Sequence, residues 1–183
     1  MADYLTGLEP AFQKAGIEHV VGKADLILSE CRHLQITQLS YFKAQEKSLN
    51  SYLQDLNGVS LPSFSCYEMK DELGIARIEM SKIWMIGAVE IKDIPASFYP
   101  LDLSSSRSVL RIQGPRAEDL LARLCAVDFR DKTRNFYSTS IHHCATHIHQ
   151  SDRGFDIYMP RSFGESLTDF IIDISRQYHV QMA

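Results

Sequence analysis

Little in this sequence marks it for chemistry. Its four cysteines, Cys31, Cys66, Cys125 and Cys144, are widely spaced and form no C-x-x-C pair. That spacing predicts free thiols in a reducing compartment, at least two of them core fillers. There is no basic excess, since the formal charge is -4, so phosphate neutralisation and nucleic acid as a partner are not expected. No apolar run approaches the roughly 18 residues of a membrane span, and no membrane is expected as a partner. The opening M-A-D-Y-L-T-G-L-E-P carries Asp3 and Glu9 and lacks the positive start and apolar core of a signal peptide. The expected location is cytoplasmic. Neither G-x-G-x-x-G, nor G-x-x-x-x-G-K-[ST], nor G-x-S-x-G occurs. No nucleotide cradle or hydrolase elbow is therefore expected. Gly114 followed by Pro115 offers no nest of backbone amides for a pyrophosphate.

What remains is scaffold. With 45% apolar and 23% charged residues, the 183-residue chain has ordinary globular composition and length enough to fold without a disulfide or metal. The organising stretch runs from Arg107 to Gln177. Val109, Leu110 and Ile112 are the apolar residues of a strand over 107–113. Gly114 permits a turn and Pro115 suits a first helical position. Ala117, Leu120, Leu121 and Leu124 then share one face of a helix over 115–126. Phe155, Ile157 and Tyr158 mark a strand over 154–159, ended by Pro160. Ser162 is the expected N-cap of a helix over 162–178, with Phe163, Leu167, Phe170, Ile171, Ile174 and Tyr178 on one face.

The first half follows the same order. Leu34, Ile36 and Leu39 alternate in a half-buried strand over 33–40. Leu49, Tyr52, Leu53 and Leu56 define a helix that Asn57-Gly58 stops. V-S-L-P-S-F is a loop, and strands are expected over 73–80 and 83–89. A linker is expected over 90–106, where Pro95, Pro100 and Ser104–Ser106 cluster. The second half adds a strand over 138–149. Each half reads strand, helix, strand, strand, an internal repeat of split β-α-β type. The expected class is α+β, as one continuous sheet or two small sheets with helices on one side. Residues 1–33, with Phe12, Ile17, Val20 and Val21 scattered among glycines and Pro10, read as an N-terminal arm ahead of a single domain over 34–183, and A-D-L-I-L-S-E at 24–30 is compatible with a short strand within it. The arm either straps the domain's own surface or docks on another subunit.

Ile141–His149 holds four of the seven histidines. On one continuous strand His143, His147 and His149 share a face and His142 and Cys144 take the other. An H-x-H pair on a strand can hold zinc, with His143 as third ligand. The bland alternative is an exposed imidazole face with Cys144 in the core, and no fourth ligand is apparent. Cys144 and His143, as strand neighbours, would point apart, so they form no nucleophile pair. Glu165, Asp169 and Asp173 stand at i, i+4 and i+8. They are either a solvated face or a patch for a basic partner surface. Arg161 is placed to pair with an acid or anchor an interface. Trp84, the only tryptophan, belongs to the core or an interface. No catalytic or cofactor-binding residue is expected in this chain.

Several segments in order carry a family resemblance. They are I-T-Q-L at 36–39, G-V-S-L-P at 58–62, I-W-M-I at 83–86, L-R-I-Q-G-P-R-A-E-D-L-L-A at 110–122, L-C-A-V-D-F at 124–129, N-F-Y-S-T-S-I-H-H-C at 135–144 and F-D-I-Y-M-P-R-S-F-G-E-S-L at 155–167. Over roughly 34–178 the chain resembles the gamma subunits of heterotetrameric sarcosine oxidase, a family related to the aminomethyltransferase (T-protein) fold. It departs from the family at M-S-K-I-W-M-I, where a G-P-D-E-W-L-L-like segment is common. The resemblance implies duplicated β-α-β-β units and a small, non-catalytic accessory chain. It implies a complex that oxidatively demethylates sarcosine to glycine and passes the one-carbon unit to tetrahydrofolate. FAD, FMN and NAD would be carried by the alpha and beta subunits, tetrahydrofolate by alpha and zinc by delta. The chain's partners would be the alpha, beta and delta subunits, chiefly alpha. The alternatives are a subunit of a related N-methyl amino-acid dehydrogenase or a stand-alone folate-binding protein. The arm, the linker and the exposed parts of 129–138 are the expected interface.

Overall fold

The computed structural model describes residues 7–15, 24–87 and 93–183. Ile17, Val20 and Val21 of the expected arm, the end of the strand over 83–89 and the start of the linker lie outside the described residues. The chain divides into two compact units, 1–32 with 106–131 and 138–183, and 33–105 with 132–137.

The smaller unit holds five strands in the order β3-β4-β5-β2-β6, all antiparallel to their neighbours. These are β2 (Gln35–Ser40), β3 (Tyr67–Lys70), β4 (Leu73–Glu79), β5 (Lys82–Gly87) and β6 (Pro100–Asp102). Helix α2 (Glu46–Asn57) covers one face of the sheet. It ends where expected. Gly58 takes a left-handed φ of 71° and its N–H bonds to the Gln54 carbonyl. Leu49 and Leu53 meet Leu39, Ile75, Ile83, Met85 and Phe98 in a dry core. The opposite face carries Ile36, Gln38 and Trp84. Trp84 is 1% exposed, edge-on to Phe136, and its indole N–H donates to Gln38 at 3.2 Å. The lone tryptophan is a core residue.

Segment 132–137 is tied into this unit through Asn135. Its amide accepts from the Tyr67 N–H at 2.7 Å and donates to the Tyr67 carbonyl at 2.9 Å. The Phe136 ring stacks on Tyr67.

The larger unit holds six strands in the order β11-β1-β7-β10-β9-β8. They are β1 (Leu26–Glu30), β7 (Arg107–Gln113), β8 (Phe136–Ile141), β9 (Cys144–Ser151), β10 (Gly154–Pro160) and β11 (Val180–Met182). Its helices are α1 (Glu9–Ala15), α3 (Ala117–Leu124) and α4 (Gly164–Ser175). No helix among the described residues is long and apolar enough to cross a membrane.

The internal repeat stands, and it is larger than expected. β2-α2-β3-β4-β5 and β7-α3-β8-β9-β10 have the same order along the chain. They also have the same order in the sheet, 3-4-5-2 and 8-9-10-7. Each repeat is a strand, a helix and a three-strand meander whose last strand returns beside the first. There are two sheets, not one.

Several expectations are corrected. Leu26–Glu30, read as part of an arm, is an interior strand, parallel to β11 on one side and antiparallel to β7 on the other. Its partners are more than 75 residues away in sequence, so no local pattern announces them. The linker over 90–106 contains β6, whose Leu39↔Pro100 pairing puts the proline on a sheet edge, where its missing N–H is tolerated. β3 went unrecognised because it is an edge strand with Glu68, Met69 and Lys70 all exposed, so it shows no alternation. The helix expected over 115–126 starts at Ala117, two residues after Pro115. Ser162 is not an N-cap. It sits in a 3-10 turn, Arg161–Phe163, and α4 begins at Gly164 with no side-chain cap. The buried stripe of α4 is Gly164, Leu167, Thr168, Ile171, Ile172 and Ser175, while Phe163 is 52% exposed. Two small polar residues take places that the apolar count gave to aromatics. Of the four cysteines, all free, only Cys144 is fully buried.

Candidate functional site

The strand expected over 138–149 breaks at His142-His143. Both residues have positive φ, 47° and 64°, as the two central residues of a type I′ hairpin turn require. Asn-Gly is the usual signature, so two histidines gave no warning. The His142 ring stacks on Phe170 of α4, with centroids 4.2 Å apart, which holds the turn against the helix. His143 is exposed at the tip, while His147 and His149 lie on β9. The break removes the shared face on which a three-histidine site was built. No group of three His, Cys, Asp or Glu side chains placed to hold a metal occurs among the described residues. Cys144 is 5% exposed on β9, and burial raises its thiol pKa.

The residues that do converge are Arg111, Asp156, His149 and Cys31. β7, β10 and β9 place the first three directly opposite one another, Arg111↔Asp156 and Asp156↔His149. Asp156 accepts a bidentate pair, from Arg111 Nε at 2.6 Å and Nη2 at 2.8 Å. The His149 Nδ1 stands 3.9 Å from its second oxygen and the Cys31 thiol 3.9 Å from its first. Burial alone would push the Asp156 carboxyl up. The Arg111 pair and His149 more than offset that and hold it below the usual carboxylate value. The same burial, with the Asp156 charge beside it, pushes the Cys31 thiol up to about 11. In Cys66 and Cys125, too, burial raises the thiol pKa, so no thiol is activated as a nucleophile. Asp156 is committed to its arginine and is not poised as a general base. The cluster is a fixed ion pair that pins three strands. The sequence signal was present but unused: a charged residue set inside each of the short apolar runs L-R-I and F-D-I.

This pair sets a pH dependence. A carboxyl whose folded pKa lies below its unfolded value near 3.9 gives stability that is present above that value and lost as pH falls through the folded one. Arg111 keeps 35% of its side chain in water, which screens the pair and favours the low end of the cost of breaking it. Asp156→Asn therefore costs about 2 kcal/mol at neutral pH, between the values for buried and exposed pairs. The difference from wild type shrinks toward zero below the folded pKa, where the wild-type carboxyl is neutral as well. Urea titrations at neutral and strongly acid pH measure it. An equal difference at both would remove the ion pair from the account.

The row Glu165, Asp169 and Asp173 meets a counter-charge inside the chain. Lys14 of α1 pairs with Glu165 and stands 3.6 Å from Asp169, and Arg176 takes Asp173 at 3.1 Å. The basic surface that such a row would attract is the chain's own first helix and last turn. On the smaller unit an open cleft of about 370 Å³ is lined by Glu46, Lys47, Asn50, Leu61 and Arg77. Arg77 spans it, donating to Glu46 and to the Met80 carbonyl.

No family model matches the chain. It is 22% identical over 170 residues to the aminomethyltransferase of Thermoanaerobacter pseudethanolicus (strain ATCC 33223 / 39E), with 87% of this chain and 43% of the relative covered. It is 24% identical over 168 residues to that of Thermoanaerobacter sp. (strain X514), with 83% and 43% covered. The chain thus spans less than half the length of the curated relatives it matches. Among solved structures, a chain of the heterotetrameric sarcosine oxidase from Corynebacterium sp. U-96, in complex with pyrrole 2-carboxylate, superposes with a TM-score of 0.77 at 18% identity over 98% of both chains. The glycine cleavage system aminomethyltransferase T from Bartonella henselae superposes with a TM-score of 0.66 at 16% identity, over 97% of this chain and 58% of the other. The duplicated α+β fold is therefore the one that aminomethyltransferases share with a chain of heterotetrameric sarcosine oxidase.

Proposed function

We propose that this chain is the gamma-type subunit of a heterotetrameric sarcosine oxidase and works in assembly, chiefly with the alpha subunit, without catalysing a step itself. The observation that carries the reading is coextension. The likeness covers 98% of this chain and 98% of the sarcosine oxidase chain, but only 58% of the aminomethyltransferase structure.

The chemistry of the side chains supports a non-catalytic role. Two acids among the described residues have side chains largely withdrawn from water: Arg111 takes both oxygens of Asp156, and Arg32 Nε stands 3.4 Å from Glu30. Each acid already has an arginine partner, which supports a reading in which tetrahydrofolate is held elsewhere in the complex. In this reading folate, the flavins FAD and FMN, NAD and zinc belong to the other subunits, and the complex is cytoplasmic. The complex would oxidise sarcosine to glycine and deliver the one-carbon unit to tetrahydrofolate.

Sarcosine turnover by the isolated chain and by the host's complex, with and without this chain, tests the proposal. The isolated chain should be inactive, and the complex deprived of it should lose activity through loss of assembly. Turnover by the isolated chain would refute it. The likeness to aminomethyltransferases keeps a stand-alone folate protein as the rival. Saturable quenching of Trp84 fluorescence by tetrahydrofolate in the isolated chain would favour that rival. A complex that prefers another N-methyl amino acid would place the chain in a related dehydrogenase.

A further inference from the structure

Three of the most exposed large apolar side chains gather at one corner of the smaller unit. Phe42 is 66% exposed, Met80 66% and Tyr99 56%. Phe42 follows β2, Met80 sits on the β4–β5 turn and Tyr99 precedes β6. The Tyr41 N–H bonds to the Ser81 carbonyl, and the Gln45 amide bonds to the Ser97 carbonyl, which draws the three segments together. The Phe42 and Tyr99 rings meet edge to face, 6.0 Å apart. Tyr99 holds this place with φ of 44°, a left-handed conformation that a bulky residue rarely adopts. Burial of its ring does not compensate that strain, because the ring stays in water.

The charges around this corner oppose those of the whole chain. Lys43, Lys47, Arg77 and Lys82 stand against Glu46 and Glu79. Arg77 is matched by Glu46 and Lys82 by Glu79, whereas Lys43 and Lys47 are exposed and form no ion pair among the described residues. The chain as a whole carries -4. The cleft lined by Glu46, Lys47, Asn50, Leu61 and Arg77 is joined to Met80 through Arg77, which donates to the Met80 carbonyl at 3.2 Å. An apolar centre with the exposed Lys43 and Lys47 beside it makes a surface for an acidic segment.

We infer that the corner formed by Phe42, Met80, Tyr99, Lys43 and Lys47 docks an acidic segment of a different protein chain, with an apolar side chain seated on the aromatics and carboxylates on the two lysines. Such a surface serves any complex that the chain enters, including the one proposed above.

Site-directed photocross-linking in the full chain, expressed in its own host, tests this. Phe42 is replaced by p-benzoylphenylalanine, and in a control Glu118, exposed on α3, is replaced instead. Residue 42 should cross-link to one segment of another protein, and that segment should contain Asp or Glu. The cross-link should fall about tenfold with Lys43→Glu and Lys47→Glu together, and also at about 0.5 M NaCl. Both substitutions are exposed and put acids near the start of α2, which the helix tolerates well, so folding is retained. Cross-links to a second copy of this chain, to a segment without carboxylates, or none above the Glu118 control would overturn the inference. If an intact heteromeric complex formed without the cross-link, only the docking surface would be wrong. If residue 42 captured an acidic segment of a chain outside any such complex, only the subunit reading would be wrong.

Discussion

Gly114→Ala should lower the unfolding free energy by about 3 kcal/mol. The residue joins β7 to α3 with φ of 112°, a region closed to most side chains. A Cβ there would lie 2.3 Å from the Asp25 carbonyl oxygen and 3.2 Å from the Leu26 Cα. Neither neighbour can retreat cheaply. Leu26 opens β1, which is paired on both sides, and the Asp25 carbonyl accepts from Arg116 at the start of α3. The backbone strain costs about 1–3 kcal/mol and the overlap a similar amount. For a chain of this length the melting temperature should fall by roughly 6–12 °C. Urea titration with an unchanged slope is the check. A loss under about 1 kcal/mol would mean that β1 and the β7–α3 turn are not packed as described.

Trp84→Ala should be at least as damaging, at about 3–5 kcal/mol. The indole is fully enclosed, edge-on to Phe136, and donates to Gln38. Truncation opens a cavity and leaves the Gln38 oxygen without that donor. Trp84→Phe keeps most of the volume and loses the hydrogen bond, so it should cost about 1–2 kcal/mol. Trp84 is the only tryptophan, so circular dichroism must follow the unfolding. Equal costs for the two variants would show that the indole N–H, not its bulk, matters at this position.

These two residues also show what the sequence makes legible. Gly114 stands between an alternating strand and a 3.6-period helix, and each signal lies within a dozen residues. The same holds for β2, α2 and Gly58. The repeat was visible because each half carries its own local pattern. What was missed depends on distant partners. The run at 24–30 was compatible with a strand, but its place between β7 and β11 was not legible. β3 and β6 are edges whose exposed residues mimic loop composition. The His142-His143 turn uses residues that tolerate positive φ without advertising it. The acidic row of α4 was legible as a row, but its partner, Lys14, lies 151 positions from Glu165.

The site followed the same division. Counting histidines suggested a metal on a strand that the hairpin interrupts. Arg111 and Asp156, a part-buried ion pair, are 45 residues apart and meet only through the β7–β10 register. Their mutual neutralisation ties Arg111 and Asp156 to each other, and burial raises the pKa of all four thiols.

Native mass spectrometry of this chain, affinity-purified from its own host, tests the subunit account most directly. The account predicts one heteromeric species containing this chain and three others, one of them large and flavin-yellow. A lone species of 20.8 kDa, carrying folate or a metal and no partner, would contradict it.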